Sequence, residues 1–184
     1  VNGWTLLHAA AFEDVADTIT SLVFTHGVAV DAVNDFGDTA LMIAAQYASL
    51  RAVTALLRAG ASVNFRSTDD GCTPLHRAAH NLNDTGNACK TIQLLVDAGA
   101  DINALDNNNF TPLHDSCRAG NRDAESFLLL QYGAKVDLET IDKDTPLHFA
   151  CTDGGNSTVA AMLVKLGANP YALNNLKESP FHLA

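Results

Sequence analysis

Apolar and polar positions along this chain follow a cycle of about 34 residues that is longer than any helix or strand period. Each copy opens on a hydroxyl residue, and five of six carry histidine three places later: Thr5-Leu6-Leu7-His8, Thr39-Ala40-Leu41-Met42, Thr73-Pro74-Leu75-His76, Thr111-Pro112-Leu113-His114, Thr145-Pro146-Leu147-His148 and Ser179-Pro180-Phe181-His182. The leading hydroxyls stand 34, 34, 38, 34 and 34 residues apart, a regularity that a stack of like units requires and a single closed globule does not. Thr73, Thr111 and Thr145 are predicted helix N-caps, with proline at the first helical position, where no N–H is needed. Small residues follow, such as Ala78-Ala79, Ser116-Cys117 and Ala150-Cys151, and allow neighbouring helices to approach closely. A second predicted helix in each copy ends in an apolar pair and a glycine: Val23-Phe24 before Gly27, Leu56-Leu57 before Gly60, Leu95-Val96 before Gly99, Leu129-Leu130 before Gly133 and Leu163-Val164 before Gly167. Glycine there suits the left-handed residue that closes a helix. A short alternating segment follows (Ala61 to Asn64, Ala100 to Asn103), then a polar turn such as Asn34-Asp35-Phe36-Gly37.

Taken together, Thr-Pro-Leu-His-x-Ala, the later apolar pair, Gly-Ala and the hairpin turn resemble the ankyrin repeat over essentially the whole chain. The units fall at about 1–34, 35–68, 69–106, 107–140 and 141–174, with a partial sixth at 175–184, in one repeat domain spanning 1–184. The resemblance implies an all-α solenoid of stacked helix-turn-helix units, with β-hairpin loops projecting at right angles between them. Two departures stand out. Met42 replaces histidine in the second unit, and the hairpin glycines Gly3, Gly37 and Gly71 give way to Asn109, Lys143 and Lys177. Lysine adopts positive φ only at some cost, so the last two tips are expected to differ in shape. The chain opens at a hairpin tip and stops at Ala184 inside an expected helix, and so reads as a fragment of a longer chain.

Composition narrows the picture. With 47% apolar residues, the chain has enough for a continuous core between helices, but no run approaches the roughly 18 apolar residues of a membrane span. No signal peptide is visible. Cys117 and Cys151 occupy the same slot in adjacent units, about 8–10 Å apart in helix packing, which exceeds disulfide reach. Free thiols, with Cys72 and Cys89, fit a reducing intracellular setting, cytoplasmic or nuclear. The net charge is −10, and the five hairpin segments (31–39, 64–73, 103–111, 137–145 and 171–179) hold eleven acids against three bases, or −8 of it. Asp and Asn favour tight turns in any case, yet an acidic rim also steers a basic partner. Nucleic acid, which needs the opposite sign, is disfavoured.

No residues converge into an evident catalytic, metal or cofactor site. His8, His76, His114, His148 and His182 hold one slot in successive units, so stacking spreads them along the array and away from a single ion; they read as structural, bridging the capping residue and nearby backbone. His26 reads as a helix C-cap. Asp84-Thr85-Gly86 echoes the aspartic protease triplet but sits in the polar stretch that lengthens the third unit. Gly-rich phosphate loops, zinc-spaced cysteine pairs and nucleophile elbows are absent from the sequence. Glycosylation-like triplets begin at Asn83, Asn109 and Asn156 and matter only in a secreted protein. Leu95, Asp101, Ile102 and Asn103 match the spacing preferred by the asparaginyl hydroxylase of ankyrin repeats, with Asn103 as acceptor; the alternative is an ordinary hairpin asparagine.

If the units stack as the resemblance implies, hairpin tips and first-helix turns line a concave face. The positions there carry Trp4, Phe12, Phe36, Asp38, Gln46, Tyr47, Cys72, His80, Asn81, Phe110, Arg118, Asp144, Asp153 and Glu178. Trp4, Phe12, Phe36, Tyr47 and Phe110 are candidate anchors, whereas Phe65 and Phe149 are expected to pack inward. The added loop Leu82 to Asn87 is either a second contact or a tolerated insertion. The expected function is a monomeric, non-catalytic scaffold for a protein partner, possibly a basic segment, without membrane insertion. The alternatives are the substrate-recruiting or autoinhibitory part of a larger enzyme (a ubiquitin ligase, kinase or acyltransferase) and a structural spacer.

Overall fold

The computed structural model describes residues 3–80, 86–118, 123–152 and 156–184. The chain forms two compact units, residues 1–101 and 102–184. In unit 1 the first helices are α1 (Leu6–Phe12), α3 (Ala40–Gln46) and α5 (Pro74–Ala79), packed in series. Behind them lie α2 (Ala16–Thr20), α4 (Leu50–Arg58) and α6 (Ala88–Asp97). Unit 2 repeats the scheme, with α7 (Pro112–Arg118), α9 (Pro146–Cys151) and α11 (Pro180–Leu183) in front of α8 (Asp123–Gln131) and α10 (Ser157–Lys165).

Packing follows from the repeat. Leu7, Leu41 and Leu75 of unit 1, and Leu113 and Leu147 of unit 2, occupy the same slot and are buried. Each such leucine contributes about 1.5–3 kcal/mol. The second helices answer with Ile19, Leu56 and Leu95 in unit 1 and Leu129 and Leu163 in unit 2. Alanines fill the space between first helices, as expected of residues that let backbones approach. Cys117 is buried, and burial pushes its thiol up to about 12.

Four first helices, α1, α5, α9 and α11, begin with a capping box in which histidine stands where glutamate or glutamine is usual. The predicted helix-closing glycines all take positive φ, from 64° at Gly27 to 99° at Gly167. The second helix of the first repeat deviates from the plain helix expected there. Ala16 to Gly27 contains one residue more than Leu50 to Gly60, and Ser21–Thr25 absorbs the excess as a π-helical turn.

The hairpin tips overturn the expected change of shape. Asn109, Lys143 and Lys177 adopt φ of 61°, 63° and 65°, against 65° at Gly3 and 72° at Gly37. Tip conformation is set by the surrounding turn, which holds even a lysine left-handed: Asp106 Oδ1 accepts from the N–H groups of Asn108 and Phe110, and Asn174 Oδ1 from those of Leu176 and Glu178. Gly37 is fixed by space as well, because a Cβ there would lie 2.6 Å from the backbone nitrogen of Thr68. In unit 2 successive tips are joined by backbone bonds, Ile141 N–H to Asn108 O (3.1 Å) and Asn175 N–H to Asp142 O (2.9 Å).

Candidate partner-binding surface

In each unit the face formed by hairpins and first helices is organised by the repeated histidine. In all five copies the capping residue's backbone N–H donates to the imidazole Nδ1, at 3.0–3.2 Å, and its hydroxyl lies 2.8–2.9 Å from the same nitrogen. An Nδ1 that accepts a backbone N–H carries no proton, so the neutral ring bears its hydrogen on Nε2. That Nε2–H points to the next hairpin: His8 to Asp38 O at 2.9 Å, His114 to Asp144 O and His148 to Glu178 O, both at 3.3 Å. The imidazole therefore caps one helix and ties it to the following repeat. Burial pushes the His8 pKa below its ordinary value, against the opposing pull of the Asp38 carbonyl. Protonation would also place a hydrogen where Thr5 donates.

Met42 fills the same place with sulfur. Thr39 N–H lies 3.5 Å from Met42 Sδ, a weak acceptor that keeps the cap but has no hydrogen to send onward. An ion pair ties this repeat to the next one. Arg77 of α5 reaches back to Asp38 Oδ1 at 2.7 Å through one terminal nitrogen and at 3.2 Å through Nε, and to Asp70 Oδ2 at 2.9 Å through the other terminal nitrogen. Burial pushes the Asp38 carboxyl up, and the guanidinium opposes this. Burial also acts to raise Asp70, but the Cys72 N–H bond and Arg77 outweigh it and hold that carboxyl below its ordinary value.

Each unit carries an aromatic cluster among its hairpins and first helices. In unit 1, Trp4 meets Phe12 edge to face at 5.8 Å, and Phe12 meets Tyr47 likewise at 4.7 Å. Trp4 is 38% exposed, Phe12 40% and Phe36, at a hairpin tip, 50%. In unit 2, Phe110 packs on Phe149 at 5.2 Å, and the Arg118 guanidinium sits over the Phe110 ring with Cζ 4.9 Å from its centroid. Arg118 also pairs with Asp115 at 3.3 Å.

Several mapped residues lie elsewhere than expected. Asp38 and Cys72 were mapped to the open face on their position beside the capping threonine, but both are buried, at 7% and 8% exposure. Arg77 draws Asp38 in, and Cys72 lies under the turn closed by its own N–H to Asp70 Oδ1 at 2.9 Å. Gln46 and Tyr47 at the end of α3, His80 at the end of α5, Phe110, Asp144 and Glu178 are half-buried, and Arg118 is exposed. Asn81, Asp153 and most of the Leu82 to Asn87 loop, with Asp84 and Thr85, fall outside the described residues. Asn103 Oδ1 accepts the Lys135 N–H at 2.8 Å, as Asn64 Oδ1 accepts that of Asp101 at 2.8 Å, so this slot supplies a bridge between hairpins in both units. Sequence reasoning missed Arg77. Its signal was a base directly after the capping-box histidine, with one acid, Asp38, directly before the preceding capping threonine and another, Asp70, three places before its own.

Among the described residues no three His, Cys, Asp or Glu side chains gather as metal ligands would, and no helix is long and apolar enough to cross a membrane. A family model of ankyrin repeats in three copies matches residues 6–106 and 66–140, and one of many copies matches residues 129–184. Ankyrin repeat protein FPV031 of Fowlpox virus (strain NVSL) is 37% identical over 111 residues, 59% of this chain and 31% of that protein. The inactive serine/threonine-protein kinase TEX14 of Bos taurus is 37% identical over 98 residues, 53% of this chain and 6% of the kinase. Alpha-latrotoxin-Lg1a of Latrodectus geometricus is 32% identical over 126 residues, 68% of this chain and 9% of the toxin. The matched segment thus spans less than a third of each relative's length. Ankyrin repeats are in general protein-interaction modules without chemistry of their own, and with family models matching across both units this chain belongs to the ankyrin repeat family.

Proposed function

We propose that the chain is a non-catalytic module that captures a protein segment, basic in character, on the faces formed by its hairpins and first helices. The observation that carries this reading is the setting of Trp4, Phe12 and Phe36. These are large apolar rings left in solvent, among hairpins that hold −8 of the net charge of −10. Buried aromatic anchors with a polar surround are what tight interfaces use, and acidic rims accelerate encounter with basic partners. Prestacked helices lose little entropy on binding, so affinity comes from preorganisation.

Affinity capture with the 184-residue chain at low and high salt tests the reading. A variant carrying alanine at Phe36, Tyr47 and Phe110 is expected to lose its partners, and high salt to weaken the wild-type interactions. Partners retained in full by that variant would remove the aromatic face from the site. A second reading, recruitment or autoinhibition within a larger enzyme, is supported by the small share of TEX14 that the match covers. It predicts that partners captured by the array are substrates or regulators of another domain of the same protein.

A further inference from the structure

Unit 2 contains a cation on an aromatic ring, and its sequence position gives the key to unit 1. Phe110 stands directly before a capping threonine, and Arg118, eight residues on, is the last residue of α7. In unit 1 the same two places belong to Trp4, directly before Thr5, and Phe12, the last residue of α1. Where unit 2 sets a guanidinium over its cap-preceding ring, unit 1 has another ring, extended to a third by Tyr47. Among the described residues the recorded cation-over-ring contact is that of Arg118, and none involves Trp4, Phe12 or Tyr47.

We propose that the row Trp4, Phe12 and Tyr47 receives a guanidinium or ammonium group presented by the partner segment. The inference rests on the binding-module reading above and names the side chain that the face of unit 1 takes. Three observations converge on it. Trp4 and Phe12 each keep more than a third of their surface in solvent although both are large and apolar. Aromatic faces carry negative potential that attracts cations. The surroundings share that sign, for exposed Glu13 follows Phe12 directly. Unit 1 hairpin segments hold Asp31, Asp35, Asp38, Asp69 and Asp70 against Arg66 alone, and Arg77 offsets one more charge. A single exposed cation–ring contact changes affinity by only about fivefold. The occupant is therefore a segment with several basic residues rather than a free amine.

Trp4 is the chain's single tryptophan, so its emission reports on this site. Hexa-arginine and hexa-citrulline peptides, alike in shape and different in charge, are titrated into the 184-residue chain. Hexa-arginine is expected to change Trp4 emission saturably and hexa-citrulline to leave it unchanged. Phe12→Leu and Tyr47→Leu, which keep apolar bulk and remove the ring, should each weaken hexa-arginine binding about fivefold, with circular dichroism unaltered; Phe24→Leu, an exposed ring on the second helix of the first repeat, should leave it as it was. Equal responses to the two peptides, or full affinity in both leucine variants, would overturn the proposal. Should one variant fail to fold, the other still decides. If partners are captured from which hexa-arginine cannot compete and Trp4 stays silent, the binding-module reading stands and this inference falls.

Discussion

Units 1 and 2 each build a face of hairpins and first helices, by different means. Unit 1 has glycine at its described tips and stitches its second and third repeats with a half-buried Arg77 held between Asp38 and Asp70. Unit 2 has asparagine and lysine at its tips, backbone bonds between them, and a face filled by Phe110, Phe149 and an exposed Arg118. The lesson is that the repeat fixes positions while leaving open which force joins them. In one unit an arginine taken largely out of water must stay paired; in the other, rings and backbone do the joining and the arginine stays exposed.

The sharpest way to break this contrast is to remove each arginine. Arg77→Ala strands Asp38 in a buried place and should cost about 3–5 kcal/mol, whereas Arg118→Ala, which takes one longer contact from the likewise buried Asp115 but removes a guanidinium half in solvent, should cost less. Urea unfolding of both variants measures the difference, and equal losses would erase it. A smaller effect is expected at the tips. Gly37→Ala should destabilise by about 1 kcal/mol from its positive φ alone, and by more from the contact with Thr68. Lys143→Gly should instead stabilise by up to about 1 kcal/mol. Thermal melts of the pair decide whether the tips are truly alike.

The smallest effect concerns protons. His8 has a folded pKa below the ordinary 6.5, so below that value the unfolded chain binds more protons than the folded one. Stability should therefore fall as pH drops through 6.5 and stop falling once His8 is protonated in the folded state too. His8→Met, which copies the natural arrangement at Met42, should flatten that part of the curve. An unchanged slope in this variant would mean that His8 carries none of it.

Most of the fold was legible because the signals are local. Threonine caps, first-turn prolines and closing glycines each act through a few neighbouring atoms, and their recurrence made the architecture plain. What escaped depended on more distant partners or on exact residue counts. Asp38 was read as a rim charge because nothing near it in sequence announces Arg77, 39 positions on. The lysine tips were expected to deform because φ preference was weighed without the Thr140 and Asn174 side chains that clamp those turns. The π-helical turn was overlooked although one surplus residue between Ala16 and Gly27 encodes it. Of the candidate surface, the positions of the rings beside caps and helix ends could be read from their slots, but their edge-to-face grouping could not, since it requires side-chain directions.

Met42 has a consequence for how such an array comes apart. At His8, His114 and His148 an imidazole couples the start of one helix to the following hairpin, so at His8, whose pKa burial lowers, acid attacks both together. At Met42 the thioether takes up no proton in mild acid, and the Arg77 guanidinium that spans the same gap keeps its charge throughout the acid range. This seam should stay shut in mild acid while its neighbour at His8 loosens, giving the first three repeats an uneven resistance to opening.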